Sequence, residues 1–159
     1  MSKIRILIAE DDGVLRRTIV ELLRLEPDLE VVSDVGDGRE AVAQAAILKP
    51  DVMLSDIEMP RMNGIQATRE LRKLLPETQM VILTKFGDDE NVFDAIKAGA
   101  VGYVLKDAGL EEIATVLRCA ATGEGFLSPA IVSRVMSEFS RISKSAVHNR
   151  KRVAELSRR

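Results

Sequence analysis

Cysteine occurs once in this 159-residue chain, as Cys119, and histidine once, as His148. A single thiol excludes a disulfide framework and a cysteine-based metal knuckle, and Cys119 reads as a small core residue. His148 stands among lysines and arginines and is given no catalytic role. No apolar run approaches the roughly 20 residues needed to cross a bilayer, and the N-terminus lacks a signal-peptide pattern, so a cytoplasmic location without a membrane partner is expected. The composition, 46% hydrophobic and 30% charged, is not that of a disordered or fibrous chain. It suits one compact domain with a short appendage.

Charge is unevenly spread. From Arg141 to the end, seven lysines and arginines face one acid, Glu155, a net of +6; against the total of -2, the preceding residues carry -8. An acidic globule is therefore joined to a basic tail, which reads as a solvated linker helix.

Short apolar runs and helical periodicities alternate along the chain. Ile4 to Ala9, Glu30 to Val35, Val52 to Asp56, Met80 to Thr84 and Val101 to Leu105 read as strands. Most of them are continuously hydrophobic, as parallel strands covered on both faces are. Helices are expected from Val14 towards Glu26-Pro27, over Arg39 to Leu48, Ile65 to Leu75, about Asp89 to Ala98 and Leu110 to Ala121. Gly36-Asp37-Gly38 reads as a turn, the loop Glu58 to Gly64 carries both turn formers, proline and glycine, and Gly99 reads as a helix cap. Strict alternation predicts an α/β fold: a flavodoxin-like, doubly wound, five-stranded parallel sheet of order 2-1-3-4-5. A C-terminal helical extension follows, with Ser128 as N-cap, Pro129 as first helical residue and Ile131, Val132, Val135, Met136 and Phe139 as its apolar stripe.

In such a sheet ligands bind at the carboxyl ends of the strands. Glu10, Asp11, Asp56, Thr84 and Lys106 all fall there, each where an apolar run turns polar. Two carboxylates after one strand and a third after its neighbour form an oxygen-only, negative pocket suited to Mg²⁺, which favours hard oxygen ligands. Asp12 reads instead as an acid at a helix N-terminus. A carboxylate placed like Asp56 can attack a phosphoryl donor, and the Thr84 hydroxyl and Lys106 ammonium can hold phosphate oxygens.

With the acidic pair Glu10-Asp11, the segment Asp56-Ile57-Glu58-Met59-Pro60-Arg61-Met62-Asn63-Gly64, Thr84 and Gly102-Tyr103-Val104-Leu105-Lys106-Asp107, residues 3 to about 122 resemble a bacterial response regulator receiver domain. The resemblance implies that Asp56 accepts a phosphoryl group from a sensor histidine kinase. It implies Mg²⁺ held by Asp11, Asp56 and the backbone carbonyl of Glu58, with Glu10 acting through a metal-bound water and Lys106 pairing with the phosphoryl group. Thr84 and Tyr103 form the switch, the hydroxyl moving toward the phosphoryl oxygen and the ring turning inward. The chain is then a signalling switch with self-catalysed phosphorylation and dephosphorylation, not an enzyme acting on an outside substrate.

Gly123-Glu124-Gly125-Phe126-Leu127-Ser128-Pro129 resembles the segment after the receiver in the NarL/FixJ group, whose members carry a LuxR-type helix-turn-helix. Glu155-Leu156-Ser157-Arg158-Arg159 resembles the opening of that domain. Expected boundaries are therefore 1–124 for the receiver and 125–159 for a helical linker, in a receiver-plus-linker piece of a longer transcriptional regulator. DNA would be reached only through the missing C-terminal domain. The group also implies a homodimer on phosphorylation, through helix surfaces around Arg17 to Arg24 and Glu112 to Ala121.

Two residues depart from the usual pattern. Lys85 follows Thr84 where a small residue is common, and Glu58 lies two positions after Asp56; an ion pair between them over the site would modulate the life of the acyl phosphate. Competing readings are a stand-alone receiver acting through protein contacts and a metal-dependent phosphohydrolase using Asp56 as nucleophile, although no substrate-gripping insertion is evident. A flavodoxin-type FMN carrier fits worst, because Glu10-Asp11-Asp12 would repel phosphate.

Overall fold

The computed structural model describes residues 2–85, 89–127, 132–133 and 135–142. Strands and helices alternate as β1 (Ile4–Ala9), α1 (Gly13–Leu23), β2 (Leu29–Val35), α2 (Gly38–Leu48), β3 (Val52–Asp56), α3 (Gly64–Leu74), β4 (Gln79–Thr84), α4 (Asp89–Ala98), β5 (Gly102–Leu105) and α5 (Leu110–Ala121). These strands pair in parallel in the flavodoxin-like order β2-β1-β3-β4-β5. The sheet then gains a strand that the sequence pattern did not predict. Phe126–Leu127 (β6) pairs in parallel with β5, setting Gly102 opposite Phe126 and Tyr103 opposite Leu127. Two residues are too few to display a period of two, so only the pairing reveals them.

Successive strand residues point to opposite faces, and both faces are buried. Ile6, Ile8, Val52, Leu54, Val81, Leu83 and Val104 enter the core beneath α1 and α5, meeting Leu23 and Leu117. Leu7, Ala9, Met53, Met80, Ile82 and Tyr103 enter the core beneath α2, α3 and α4, meeting Ala41, Leu71 and Ala95. Every fully buried leucine or isoleucine in these layers contributes roughly 1.5–3 kcal/mol, so the strand ends rest on a rigid platform.

The helix starts are fixed by short polar side chains. Asp12 caps α1, accepting from the Val14 and Leu15 amides at 3.0 and 3.2 Å, the helix-terminal role its position predicts. Asp37 caps α2 through the Glu40 amide at 2.7 Å. Asn63 and Gln66 form a reciprocal capping box on α3, at 2.8 and 3.0 Å. The turn at Gly36-Asp37-Gly38 and the loop ending at Gly64 lead directly into α2 and α3, with Gly38 and Gly64 the first helical residues, each one residue before the expected start. Gly99 does close α4, at φ 113°.

On α5, Arg118 reaches the α1–β2 connection, with Nε 2.7 Å from Asp28 Oδ2 and Nη2 2.9 Å from Asp28 Oδ1 and 3.1 Å from Glu26 Oε2. The charge-assisted bond holds the Asp28 carboxyl below its ordinary value and lifts the guanidinium above its own. Cys119, on the same helix, is half-buried. Residues 132–133 and 135–142 are helical, and Val135 packs against the core beneath α4. Val132, Met136, Phe139 and Ile142 face outward. Ser128, Pro129 and the basic segment 143–159 lie outside the described residues. Among the described residues, no helix is long and apolar enough to cross a membrane.

Candidate phosphoacceptor site

The sheet register gathers the predicted residues. Ala9 pairs with Ser55, Asp56 with Leu83, and Thr84 with Leu105. Glu10, Asp56, Thr84 and Lys106 therefore leave adjacent strands at one edge. The Lys106 amide donates to the Thr84 carbonyl at 2.9 Å, extending the ladder one residue past the strands.

Lys106 joins the two buried acids. Its Nζ lies 2.9 Å from Asp56 Oδ2 and 3.2 Å from Glu10 Oε1. Glu10 is fully buried and Asp56 nearly so, while Asp11 is exposed at the rim. Carboxylate oxygens of Glu10, Asp11 and Asp56 lie within 4.8 Å of one another. At an effective dielectric of about 20, two unit charges at that separation repel by ~3 kcal/mol. One ammonium cannot balance three such groups. Burial, then the charge and hydrogen bonding of Asp56, push the Glu10 carboxyl up from 4.5 to about 7, against the opposing pull of Lys106. For Lys106, burial disfavours the cation, but the bonds and charges of Asp56 and Glu10 outweigh it and hold the ammonium above its ordinary value.

Glu10 Oε2 is buried without a hydrogen-bond partner. An orphaned acceptor on Glu10, in a cluster with two further carboxylates, all hard oxygen donors, fits a hydrated divalent cation. The donor set is therefore of the kind Mg²⁺ requires.

The other predicted residues surround this centre. Thr84 is buried at the end of β4, where its Oγ1 lies 3.4 Å from the Lys85 carbonyl. Lys85 Nζ stands 3.4 Å from Glu58 Oε2, with both side chains more than half exposed. Tyr103 is not at the site. Its ring is 1% exposed within the core beneath α4, and its hydroxyl donates to the Ala100 carbonyl at 3.1 Å. Burial pushes its phenol well above the ordinary value, so it stays neutral.

Backbone packing fixes the loop that follows Asp56. A Cβ added at Gly64 would lie 2.2 Å from the Asp56 carbonyl oxygen, and one at Gly38 would lie 1.8 Å from the Met62 carbonyl oxygen. The Gly64 amide donates to the Ile57 carbonyl at 2.7 Å, and the Ser55 hydroxyl donates to the Asp56 carbonyl at 2.9 Å. The β3–α3 loop is thus clamped against two glycines.

The sequence pattern of the family described as the response regulator receiver domain matches residues 6–118. The chain belongs to this family. It is 40% identical over 147 residues to the transcriptional regulatory protein YxjL of Bacillus subtilis (strain 168), covering 92% of this chain and 67% of that one. It is 36% identical over 144 residues to the transcriptional regulatory protein LiaR of the same organism, covering 91% and 68%. The structure is similar to a LuxR-family two-component response regulator from Aurantimonas sp. SI85-9A1, with a TM-score of 0.81, 27% identity, and 87% of this chain and 99% of that chain covered. The chain thus spans about two thirds of the length of the two Bacillus relatives.

Within this receiver the sequence pattern gave no sign of two features near the site, the glycine clamps and Arg16. Arg16 donates from Nη1 to the Glu10 carbonyl at 2.5 Å and from Nε to Asp34 Oδ2 at 3.1 Å. Both features rest on contacts to main-chain carbonyls, which no hydrophobic period encodes.

Proposed function

We propose that the chain is the phosphoacceptor module of a two-component signalling protein, with Asp56 receiving a phosphoryl group from the phosphohistidine of a sensor kinase. The observation that carries this reading is the strand-end cluster, in which Glu10, Asp11 and Asp56 converge and Lys106 contacts the nucleophile candidate. Asp11, Asp56 and the main-chain carbonyl of Glu58 would hold Mg²⁺, with Glu10 acting through a water, and the ion when bound supplies neutralising charge for the transferring group. Asp56 attacks the phosphorus: an O–P bond forms, the P–N bond of the donor breaks, and the imidazole leaves with the electron pair. Lys106, whose Nζ lies 2.9 Å from Asp56 Oδ2, offers a donor to a phosphoryl oxygen. Thr84 turns its hydroxyl from the Lys85 carbonyl to that oxygen, and Tyr103 relays the change to the surface of α4 and β5. Self-catalysed hydrolysis, with water attacking the acyl phosphate, ends the signal; the Lys85–Glu58 pair sits over the approach and sets its pace.

On this reading residues 1–124 are the receiver and 125–159 a linker to a helix-turn-helix domain that contacts DNA, a linker that first adds β6 to the receiver sheet and is helical at 132–133 and 135–142. The output is transcriptional, as in YxjL and LiaR, and the setting is cytoplasmic. Phosphorylation drives homodimerisation through α1 around Arg17 to Arg24 and α5 around Glu112 to Ala121. Incubation with Mg²⁺ and acetyl phosphate, read by intact mass and sedimentation, tests the proposal. Wild type gains one phosphoryl group and dimerises, and Asp56→Asn does neither. An unmodified wild type refutes the central step.

A further inference from the structure

Arg16 lies on α1, one turn beyond the acids it follows in sequence, and its side chain turns back toward them. Nη1 donates to the Glu10 carbonyl at 2.5 Å, and the Glu10 amide donates to the Val35 carbonyl at 3.0 Å. Both main-chain polar groups of Glu10 are therefore held. Nε of the same guanidinium lies 3.1 Å from Asp34 Oδ2, near the end of β2, so the arm is braced at its far side. Gly36 leaves room for it: a Cβ there would lie 3.0 Å from Arg16 Nη1 and 3.9 Å from the Glu10 carbonyl oxygen.

The Glu10 carbonyl belongs to the peptide linking Glu10 to Asp11. Rotation of that peptide would swing the Asp11 carboxylate away from Asp56. Asp11 is exposed, so its direction depends on the backbone that carries it. We propose that Arg16, seated against Gly36 and braced by Asp34, is a positioning residue that locks the Glu10–Asp11 peptide so that its carboxylates converge with Asp56 on the divalent cation. This rests on the cation reading of the cluster given above. A partner bound to the carbonyl of a liganding segment acts as outer-shell partners of metal sites do, and loss of such a partner lowers metal affinity about 10- to 100-fold.

The sign of the effect separates positioning from charge. Arg16 is a cation beside a cation site, so deleting its charge alone would tighten Mg²⁺ binding. Weaker binding must come from lost geometry. A role confined to the fold would lower thermal stability and leave the Mg²⁺ affinity of the folded protein unchanged.

Calorimetric Mg²⁺ titration of the full chain, with circular dichroism to verify folding, makes the test. Arg16→Ala is expected to bind Mg²⁺ about 10-fold more weakly than wild type. Gly36→Ala, which keeps every charge and presses the guanidinium aside by a few tenths of an ångström, is expected to weaken binding in the same direction, as is Asp34→Asn to a smaller extent. Arg16→Lys retains one donor and falls between wild type and Arg16→Ala. Arg16→Ala and Gly36→Ala that both bind Mg²⁺ as tightly as wild type, or more tightly, overturn the proposal, and so does Gly36→Ala at wild-type affinity should Arg16→Ala fail to fold. Failure of the underlying cation reading has a different signature: wild type shows no Mg²⁺ binding, or Asp11→Asn binds as well as wild type.

Discussion

Glu10→Gln should make the metal-free protein more stable at neutral and alkaline pH, because Glu10 is ionised there in a buried site that resists its charge. Burial and the Asp56 carboxylate raise its folded value from 4.5 to about 7. A carboxyl raised on folding binds its proton more tightly in the native state, so folding takes up a proton between these values. Its stabilising contribution is present in full below 4.5 and is lost as the pH rises through about 7. At ~1.36 kcal/mol per pH unit, that gap amounts to at most about 3 kcal/mol. Gln carries no titrating proton and should be free of this slope.

Urea unfolding of both proteins in EDTA, followed by far-ultraviolet circular dichroism from acid to mildly alkaline pH, measures the difference. The stability of wild type minus that of Glu10→Gln should fall as pH rises and level off beyond neutrality. Groups that do not touch Glu10 are common to both proteins and cancel, so the difference reports Glu10 together with its contacts to Asp56 and Lys106. A difference that stays flat refutes the reasoning, since it would mean that the Glu10 carboxyl ionises as easily folded as unfolded. Magnesium should reduce the slope in wild type, because added positive charge relieves the same repulsion.

Gly64→Ala sets a Cβ 2.2 Å from the Asp56 carbonyl oxygen, and the fault must be absorbed by backbone; chemical denaturation should show a loss of about 1–3 kcal/mol or more. Gly13→Ala, at an equally helix-initial position with nothing within 4 Å, serves as its control and should gain ~0.5 kcal/mol. Lys85→Ala removes an exposed ion pair whose worth is below ~1 kcal/mol, so the unfolding midpoint should hardly move. Its acyl phosphate should nevertheless hydrolyse faster, by about fivefold if water access gains ~1 kcal/mol, and an unchanged phosphate half-life would remove Lys85 from the mechanism.

The fold was legible because this sheet is buried on both faces. Ile6 and Leu7 serve opposite cores, yet both must be apolar, so the inner strands announce themselves as uninterrupted runs that end where the sequence turns polar, whereas β2, with Glu30 and Asp34 exposed, carries a weaker signal. The site was legible for the same reason: in a parallel sheet all the strands stop at corresponding ends, so Glu10, Asp56, Thr84 and Lys106 could be assigned to one edge from the points where apolar sequence turns polar. What escaped are contacts to main-chain carbonyls, which leave no mark on hydrophobic periodicity whether the partner is six residues away, as Glu10 is from Arg16, or 24, as Met62 is from Gly38. Gly38 and Gly64 carry turn-forming identities, and the composition of their segments points to turns. Their structural reason is different: Met62 and Asp56 carbonyl oxygens occupy the space where a Cβ would stand.

Arg16 shows the same limit from the other side. Its position on α1 predicts only a charged, solvent-facing residue, and its opposite charge to Asp34 suggests only a surface pair. The bond to the Glu10 carbonyl depends on β2 running beside β1, on Gly36 lacking a side chain, and on α1 starting close enough for a side chain to turn back. Acid identity and strand termination therefore declare where a cation can bind, while the convergence of those acids is set by contacts among backbone groups that carry no local signature. Substitutions at Gly36 and Gly64 separate these two levels, since neither removes a single ligand.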